Sequence, residues 1–520
     1  MEWNENTIRF YRERNGEKNM ITVSLNEADF EYDIHSLVKA FYPKEDVKVF
    51  ADSEKIAELE EKETPLFHME VLFSRAENVI SAGVLNAKAK TGEPALASMQ
   101  IQVDFSDRKE TKNRLKRGIY QMFSEYTGQT LPWGTLTGIR PTKIPMSMLE
   151  EGKSEDEIRT FMADTYFCSP KKTELSIDIA KRELGLLNKL DYEKGYSLYI
   201  GIPFCPSTCL YCSFTSYPLS AWEKRVDEYL DALEKEIDYT AEQYRERHLN
   251  TIYIGGGTPT TLAPYQLDRL LRKIKSSFDL SHLLEFTVEA GRPDSITKEK
   301  LEVLRSHGIS RISINPQTMK QETLEIIGRH HTVEQTVQSF LTARELGFDN
   351  INMDLIVGLP NENLEDVRHT MEQLEELQPD NVTVHSLAIK RAARLNMFKE
   401  DYTNLKMENT WEHIEVTADY CKRMGLQPYY LYRQKNMAGN FENVGYAKEG
   451  KAGIYNILIM EEKQTIVACG AGASTKRVWN TPNPDGTHRI ERCENVKDVA
   501  LYIERIDEMI ERKKRLFAEE

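Results

Sequence analysis

Six short apolar runs, each followed by a stretch of helix-forming sequence, occupy residues 196 to 390 and restrict this chain more than any other feature. They read YSLYIGIP from 196, NTIYIGGG from 250, EFTVEAG from 285, RISINPQ from 311, NINMDLIVG from 350 and NVTVHSLA from 381. Repeated βα units predict a parallel sheet, because each crossover helix returns the chain to the same end. The first crossover is legible in detail: Val226, Leu230, Leu233 and Ile237 recur at three- and four-residue spacing and make one apolar stripe. Right-handed crossovers allow either an open doubly wound sheet or an incomplete (β/α) barrel. In both, function sits at the carboxyl ends of the strands.

The flanks read differently. Residues 1 to about 130 mix alternating and helical patterns, and Met99, Ile101, Val103 and Phe105 alternate with Gln100, Gln102 and Asp104 as in a half-buried strand, so a small α+β domain is expected there. A connector, LPWGTLTGIRPTKIP at 131 to 145, is followed by helical sequence to about 194, with Arg140 and Lys143 read as solvated surface charge. The core is expected over 195–395. Residues 396–520 form a mixed C-terminal α+β segment with a glycine-rich turn at 468 to 475 and a closing helix on Val499, Ile503, Ile506 and Ile510, suited to capping a barrel.

Composition excludes several classes. Glu2, Glu5, Arg9, Arg12 and Glu13 interrupt the first twenty residues where a secretory leader needs an apolar run, and no stretch approaches the roughly 18 apolar residues of a spanning helix. A cytoplasmic location without membrane association is the expectation. The formal net charge of -15 argues against a broad positive field for nucleic acid.

Of seven cysteines, Cys168, Cys421, Cys469 and Cys493 are scattered, whereas Cys205, Cys209 and Cys212 crowd into GIPFCPSTCLYCSF directly after the first β run. That is no disulfide framework. Three thiolates in a short loop can hold three irons of a cubane cluster and leave the fourth iron open to another ligand. A structural zinc site wants four ligands, and downstream the nearest histidine is His248 and the next cysteine Cys421.

Other strand ends carry polar groups. Gly255, Gly256 and Gly257, with Thr258 after them, close the second run, where glycines let backbone approach a ligand. Glu289, Gln317 and Asp354 stand at or near successive strand ends, where a carboxylate needs a partner or a ligand.

The spacing C-x3-C-x2-C, with Tyr211 before the third cysteine, resembles the radical S-adenosylmethionine (SAM) signature. IPFCxxxCxYC, GGGTPT, Glu289, Gln317 twelve residues before Arg329, and DLIVGLP from Asp354 further resemble the oxygen-independent coproporphyrinogen III oxidase (dehydrogenase) family over about 196 to 390. The amino-terminal extension and the LPWGTLTGIRPTKI connector are most similar to its HemZ-type branch. The resemblance implies a partial (β/α)6 TIM-like barrel of radical SAM type and a 4Fe-4S cluster on Cys205, Cys209 and Cys212. It also implies one or two SAM molecules touching Tyr199, Tyr211, Gly256, Gly257, Thr258, Glu289, Gln317, Arg329, Asp354 and Ala388. The implied reaction belongs to porphyrin and haem biosynthesis: the adenosyl radical takes a hydrogen from coproporphyrinogen III propionates, which become vinyl groups. Lys390, Arg391 and Arg394 are then candidate partners of substrate carboxylates, His385 is a candidate proton donor, and a flavodoxin- or ferredoxin-type protein is the implied electron donor.

This chain departs from the family pattern at Gly201, where the enzymes carry histidine, and at Phe214, where they carry a further cysteine. The haem-chaperone branch has a His-Asn pair whose nearest match here is Tyr455-Asn456. Two other readings stay open: a haem- or porphyrin-binding carrier, and a radical SAM enzyme for another substrate.

Overall fold

The computed structural model describes residues 19–43, 45–87, 93–388, 393–397, 404–433, 441–483 and 488–518. Backbone contacts divide the chain into two units, one holding Met1–Pro141 and Ser147–Ile177, the other Thr142–Met146 and Asp178–Glu520. The expected connector is therefore shared between the units, and the boundary falls inside the helix Pro170–Leu187.

The first unit is built on a sheet of β1 (Met20–Leu25), β2 (Asp46–Phe50), β3 (Phe67–Ser74), β4 (Val79–Asn86) and β5 (Ala97–Gln102), in the order β2-β1-β3-β4-β5. Alternation sets its faces: Phe67, Met69, Val71 and Phe73 of β3 are buried in one core with the helices Glu31–Phe41 and Arg108–Thr127. The expected alternation from Met99 to Phe105 is present, but β5 ends at Gln102, and Val103 enters the same core from the following turn.

The second unit carries β6 (Gly195–Ile202), the two-residue pair β7 (Phe204–Cys205) and β8 (Tyr217–Pro218), and β9 (His248–Gly256), β10 (Glu285–Gly291), β11 (Arg311–Ile314), β12 (Ile351–Val357) and β13 (Asn381–Ser386). Its last strands are β14 (Gln427–Tyr432), β15 (Asn443–Ala447), β16 (Thr465–Cys469), β17 (Ser474–Pro482) and β18 (His488–Glu494). The sheet order is β14-β15-β13-β12-β11-β10-β9-β6-β16-β17-β18. All six expected βα strands are present, mutually parallel and adjacent in sequence order. Right-handed crossovers between consecutive neighbours place every connecting helix on one face, so the sheet curls as a partial TIM-like barrel and has no doubly wound switch point.

That curl gives the strands two unlike faces. Leu198 and Ile200, Ile252 and Ile254, and Phe286 and Val288 point outward and are buried, and the expected stripe of Val226, Leu230, Leu233 and Ile237 is the buried side of the helix Val226–Gln243. The alternate residues face inward and are polar: Thr251 donates to Ser197 at 2.7 Å, Thr287 to Glu285 at 2.8 Å and Thr383 to Asn352 at 3.0 Å. A barrel with a polar lining is shaped to hold a polar ligand.

The segment 396–520, expected as a cap, adds its strands to this same sheet. β15 pairs antiparallel with β13, and β16 pairs parallel with β6. The single expected closing helix is two, Val499–Glu504 and Ile506–Ala518, broken at Arg505. No helix among the described residues is long and apolar enough to cross a membrane.

Candidate active site

The cysteine loop follows β6 and is bracketed by the β7–β8 pair. It is tied down on three sides: Leu210 N–H donates to Ile327 C=O at 2.9 Å, Ser207 Oγ to Gly328 C=O at 2.9 Å, and Leu395 N–H to Leu210 C=O at 3.0 Å. Cys209 is buried, and Cys205 and Cys212 are half-buried. Burial pushes the Cys205 thiol up to about 11 and raises Cys212 too, and the neighbouring sulfurs add to the rise. Thiols raised in this way become thiolates most readily on a cation, which iron supplies. Among the described residues no three His, Cys, Asp or Glu side chains converge as a single metal ion would require. A cubane cluster instead takes one thiolate at each of three separate corners. The residues present therefore fit the cluster.

The glycine run after β9 positions this loop. Gly256 has φ of +107°, and a Cβ on Gly257 would stand 2.5 Å from the Phe204 carbonyl oxygen. The approach is used by the backbone: Gly257 N–H donates to Ile202 C=O and Thr258 N–H to Phe204 C=O, both at 2.7 Å. Thr258 Oγ1 then lies 3.5 Å from Cys205 Sγ. The close contact that the sequence suggested for a ligand is thus also made to the cysteine-bearing strand.

Below the loop, the inward residues form a ring of tyrosines and carboxylates. Tyr253 donates its hydroxyl to Glu289 and clusters with Tyr199, centroids 6.2 Å apart, and Tyr455, 4.5 Å apart, which also stack on each other at 6.4 Å. Burial drives the Glu289 carboxyl up to about 7, against the Tyr253 hydrogen bond and with Asp354 adding to the rise. Asp354 goes the other way. Burial works to raise it, but His385, with Nε2 3.9 Å from its carboxylate, and Asn352, which donates at 2.7 Å, hold it below the ordinary carboxylate range. Two carboxylates pushed apart by their surroundings make this lining a candidate site.

Gln317 is buried with φ of +68°, uncommon outside glycine; its N–H donates to Asp354 C=O at 2.9 Å and its carbonyl accepts from Ile356 N–H at 3.0 Å. Such strain concentrates where a side chain must be aimed. Arg329 is buried and donates to Asn315 C=O at 2.5 Å, and although burial opposes its charge, Tyr211 and Cys209 beside it hold the guanidinium protonated. Ala388 is half-buried just past β13. Structure thus brings Tyr211, Arg329 and Cys209 together, and separately gathers Tyr199, Glu289 and, through Glu289, Asp354.

Some expectations come out differently. Arg394 is exposed at the start of the helix Arg394–Met397, and Lys390 and Arg391 lie outside the described residues. Phe214 is 71% exposed, so the position of the family's extra cysteine faces outward. Tyr455, in the place of the chaperone histidine, is buried against Tyr253, and Asn456 donates to the Tyr429 hydroxyl at 3.2 Å. Tyr253, Arg292 and His331 were not singled out from sequence. Alternation along NTIYIGGG could have found Tyr253, and a cation three residues past Glu289 could have flagged Arg292. His331 is fully buried with both ring nitrogens unbonded; burial first, then Arg329, push it down to about 3 and leave it neutral.

Residues 199–374 match the model of the radical SAM superfamily. The chain is 42% identical over 409 residues to the oxygen-independent coproporphyrinogen-III oxidase-like protein HemZ of Bacillus subtilis, an alignment spanning 78% of this chain and 81% of that one. It is 36% identical over 283 residues to the heme chaperone HemW of the same organism, covering 53% and 70% of the two chains. Against the oxygen-independent coproporphyrinogen III oxidase of Escherichia coli it is 34% identical over 196 residues, 38% of this chain and 42% of that enzyme.

Proposed function

The chain belongs to the radical SAM superfamily and, within it, to the family of oxygen-independent coproporphyrinogen III oxidase-like proteins that includes HemZ, and on that basis we propose that it is an oxidoreductase acting on the propionates of coproporphyrinogen III. Its cofactors are a 4Fe-4S cluster and SAM. When bound, they supply a radical able to take a hydrogen atom from an unactivated carbon. Each propionate would give a β-hydrogen to that radical, release carbon dioxide, pass one electron to an external one-electron acceptor and become a vinyl group, two such conversions giving protoporphyrinogen IX. The electron that starts each turnover would come from a flavodoxin- or ferredoxin-type protein.

The observation that carries the reading is the polar ring of Tyr199, Tyr253, Glu289 and Asp354 lining the barrel beneath the cysteine loop. Cys205, Cys209 and Cys212 would hold the cluster. Carbonyls at Gly256, Gly257 and Thr258 suit an ammonium group, and Glu289 and Asp354 suit ribose hydroxyls or the methionyl amine. Tyr211, Gln317, Arg329 and Ala388 would make further SAM contacts, Arg329 offering a fork for a carboxylate. The tetrapyrrole assignment is supported by the relatives' activities. The burial of Tyr455, which leaves no imidazole at the chaperone position, favours an enzyme over a haem carrier.

Anaerobic incubation of the reconstituted protein with SAM, dithionite and coproporphyrinogen III, read by mass spectrometry, tests this. Vinyl products with 5′-deoxyadenosine are expected. 5′-Deoxyadenosine without vinyl product would retain SAM cleavage and discard the substrate, and stoichiometric haem binding with neither product would favour the carrier.

SAM binding should also depend on pH. An ionised Glu289 carboxylate can accept hydroxyl hydrogen bonds at both oxygens, and protonation below about 7 turns one of them into a donor. Affinity is then full above that value, and the apparent Kd rises toward about tenfold per pH unit below it. Glu289→Gln should bind more weakly throughout and lose the dependence. Isothermal titration of cluster-loaded protein on either side of neutrality checks this, and a flat profile in the unaltered protein would contradict it.

A further inference from the structure

Arg292 sits just past β10, only 3% exposed, with its guanidinium facing the cysteine loop. Nη1 donates to Cys209 Sγ at 3.6 Å and to both the carbonyl and hydroxyl oxygens of Ser207 at 2.9 Å. Asp294 grips the opposite edge in a fork, accepting from Nε at 3.0 Å and from Nη2 at 2.6 Å. With both edges held, the planar group cannot swing away, and its N–H stays directed at the sulfur.

The chemistry of a cluster makes this contact consequential. Three thiolates on a cubane leave it with negative charge next to the protein, and one-electron reduction adds more. A buried cationic N–H donor at a ligand sulfur stabilises the reduced form more than the oxidised form, so it raises the reduction potential. Asp294 is an opposing charge but binds the guanidinium through Nε and Nη2, the edge away from the Nη1 that meets Cys209. Arg329 reaches Cys209 as well, yet it is shared with Tyr211 and Asn315 and is a candidate SAM contact, whereas the guanidinium of Arg292 bonds, among the described residues, to the cysteine loop and to Asp294.

We propose that Arg292 is a positioning residue that sets the reduction potential of the cluster through its hydrogen bond to Cys209 Sγ, with Asp294 holding it in place. The inference rests on the cluster being held at the three cysteines and is independent of the substrate.

The test is a potentiometric titration of the reconstituted protein without SAM, followed by electron paramagnetic resonance of the reduced cluster, with iron and sulfide counted in every sample. Arg292→Gln should shift the midpoint to lower potential at unchanged iron content. Arg292→Lys, which keeps the charge but not the fork, should shift it less. Midpoints of Arg292→Gln and Arg292→Lys equal to that of the unaltered protein, at full iron content, would overturn the proposal. If Arg292→Gln does not retain iron, Arg292→Lys decides on the same criterion. Absence of a cluster in the unaltered protein would instead count against the cofactor assignment, so the two failures are distinguishable.

Discussion

Cys209→Ala is expected to strip the reconstituted protein of iron and labile sulfide and to reduce SAM cleavage to background. The loss should exceed the roughly 10- to 100-fold seen when only an outer-shell partner of a metal is removed, because a corner of the cluster loses its protein ligand outright. Cys209 is the most buried of the three and the one approached by both Arg292 and Arg329, so water cannot readily take its place. Folding should survive: alanine deletes one atom from a loop still anchored at Leu210 and Ser207. Iron analysis, 5′-deoxyadenosine yield and circular dichroism together check this. Cys493→Ala, which removes a cysteine from β18, is the matched control and should keep its iron. Full iron content in Cys209→Ala would refute the ligand assignment.

The second large effect is on stability. Lys513 and Glu236 are both 0% exposed and pair at 2.5 Å. Lys513 also donates to Ala468 C=O at 2.5 Å, and Glu236 accepts from Gly470 N–H and Asn495 Nδ2 at 2.7 Å and from the Tyr502 hydroxyl at 2.5 Å. One buried carboxylate thereby fastens the first crossover helix, the turn after β16 and both closing helices. Lys513→Met leaves Glu236 charged without its counter-ion, and breaking such a pair costs about 3–5 kcal/mol. The denaturant midpoint of the unfolding transition should fall accordingly. Glu236→Gln with Lys513→Met should recover much of the loss, since a neutral amide can still serve part of the network. A midpoint unchanged by Lys513→Met alone would show that the pair does not hold the closing helices.

Several levels of this protein follow from local pattern. Period-two alternation places the six barrel strands, because each has an apolar outer face to bury against a helix, and the spacing of Val226, Leu230, Leu233 and Ile237 predicts the helix that covers them. The cysteine spacing picks out Cys205, Cys209 and Cys212 as the proposed cluster ligands, since all three stand in a single loop. Glu289 and Asp354 stand out as charges among apolar strand residues.

Other features depend on residues distant in sequence, which no local pattern reports. Arg292 and Cys209 are 83 residues apart, and nothing in EAGRPDS says which sulfur the arginine meets. Glu236 and Lys513 are separated by 277 residues, and each reads alone as one more surface charge on an amphipathic helix. The opposite shifts of Glu289 and Asp354 also require the assembled barrel, because they come from burial, from Tyr253 on a neighbouring strand and from His385 on another. The βα pattern alone fits a barrel and a doubly wound sheet equally; the motif resemblance implied the barrel, and the strand order agrees with it. Sequence by itself determined the elements, their apolar faces and the crowding of three cysteines into one loop, because these are set by neighbours along the chain. Tertiary structure decided which charges meet, which are buried and what they do to one another, because electrostatic energy depends on distance in space and on the exclusion of water.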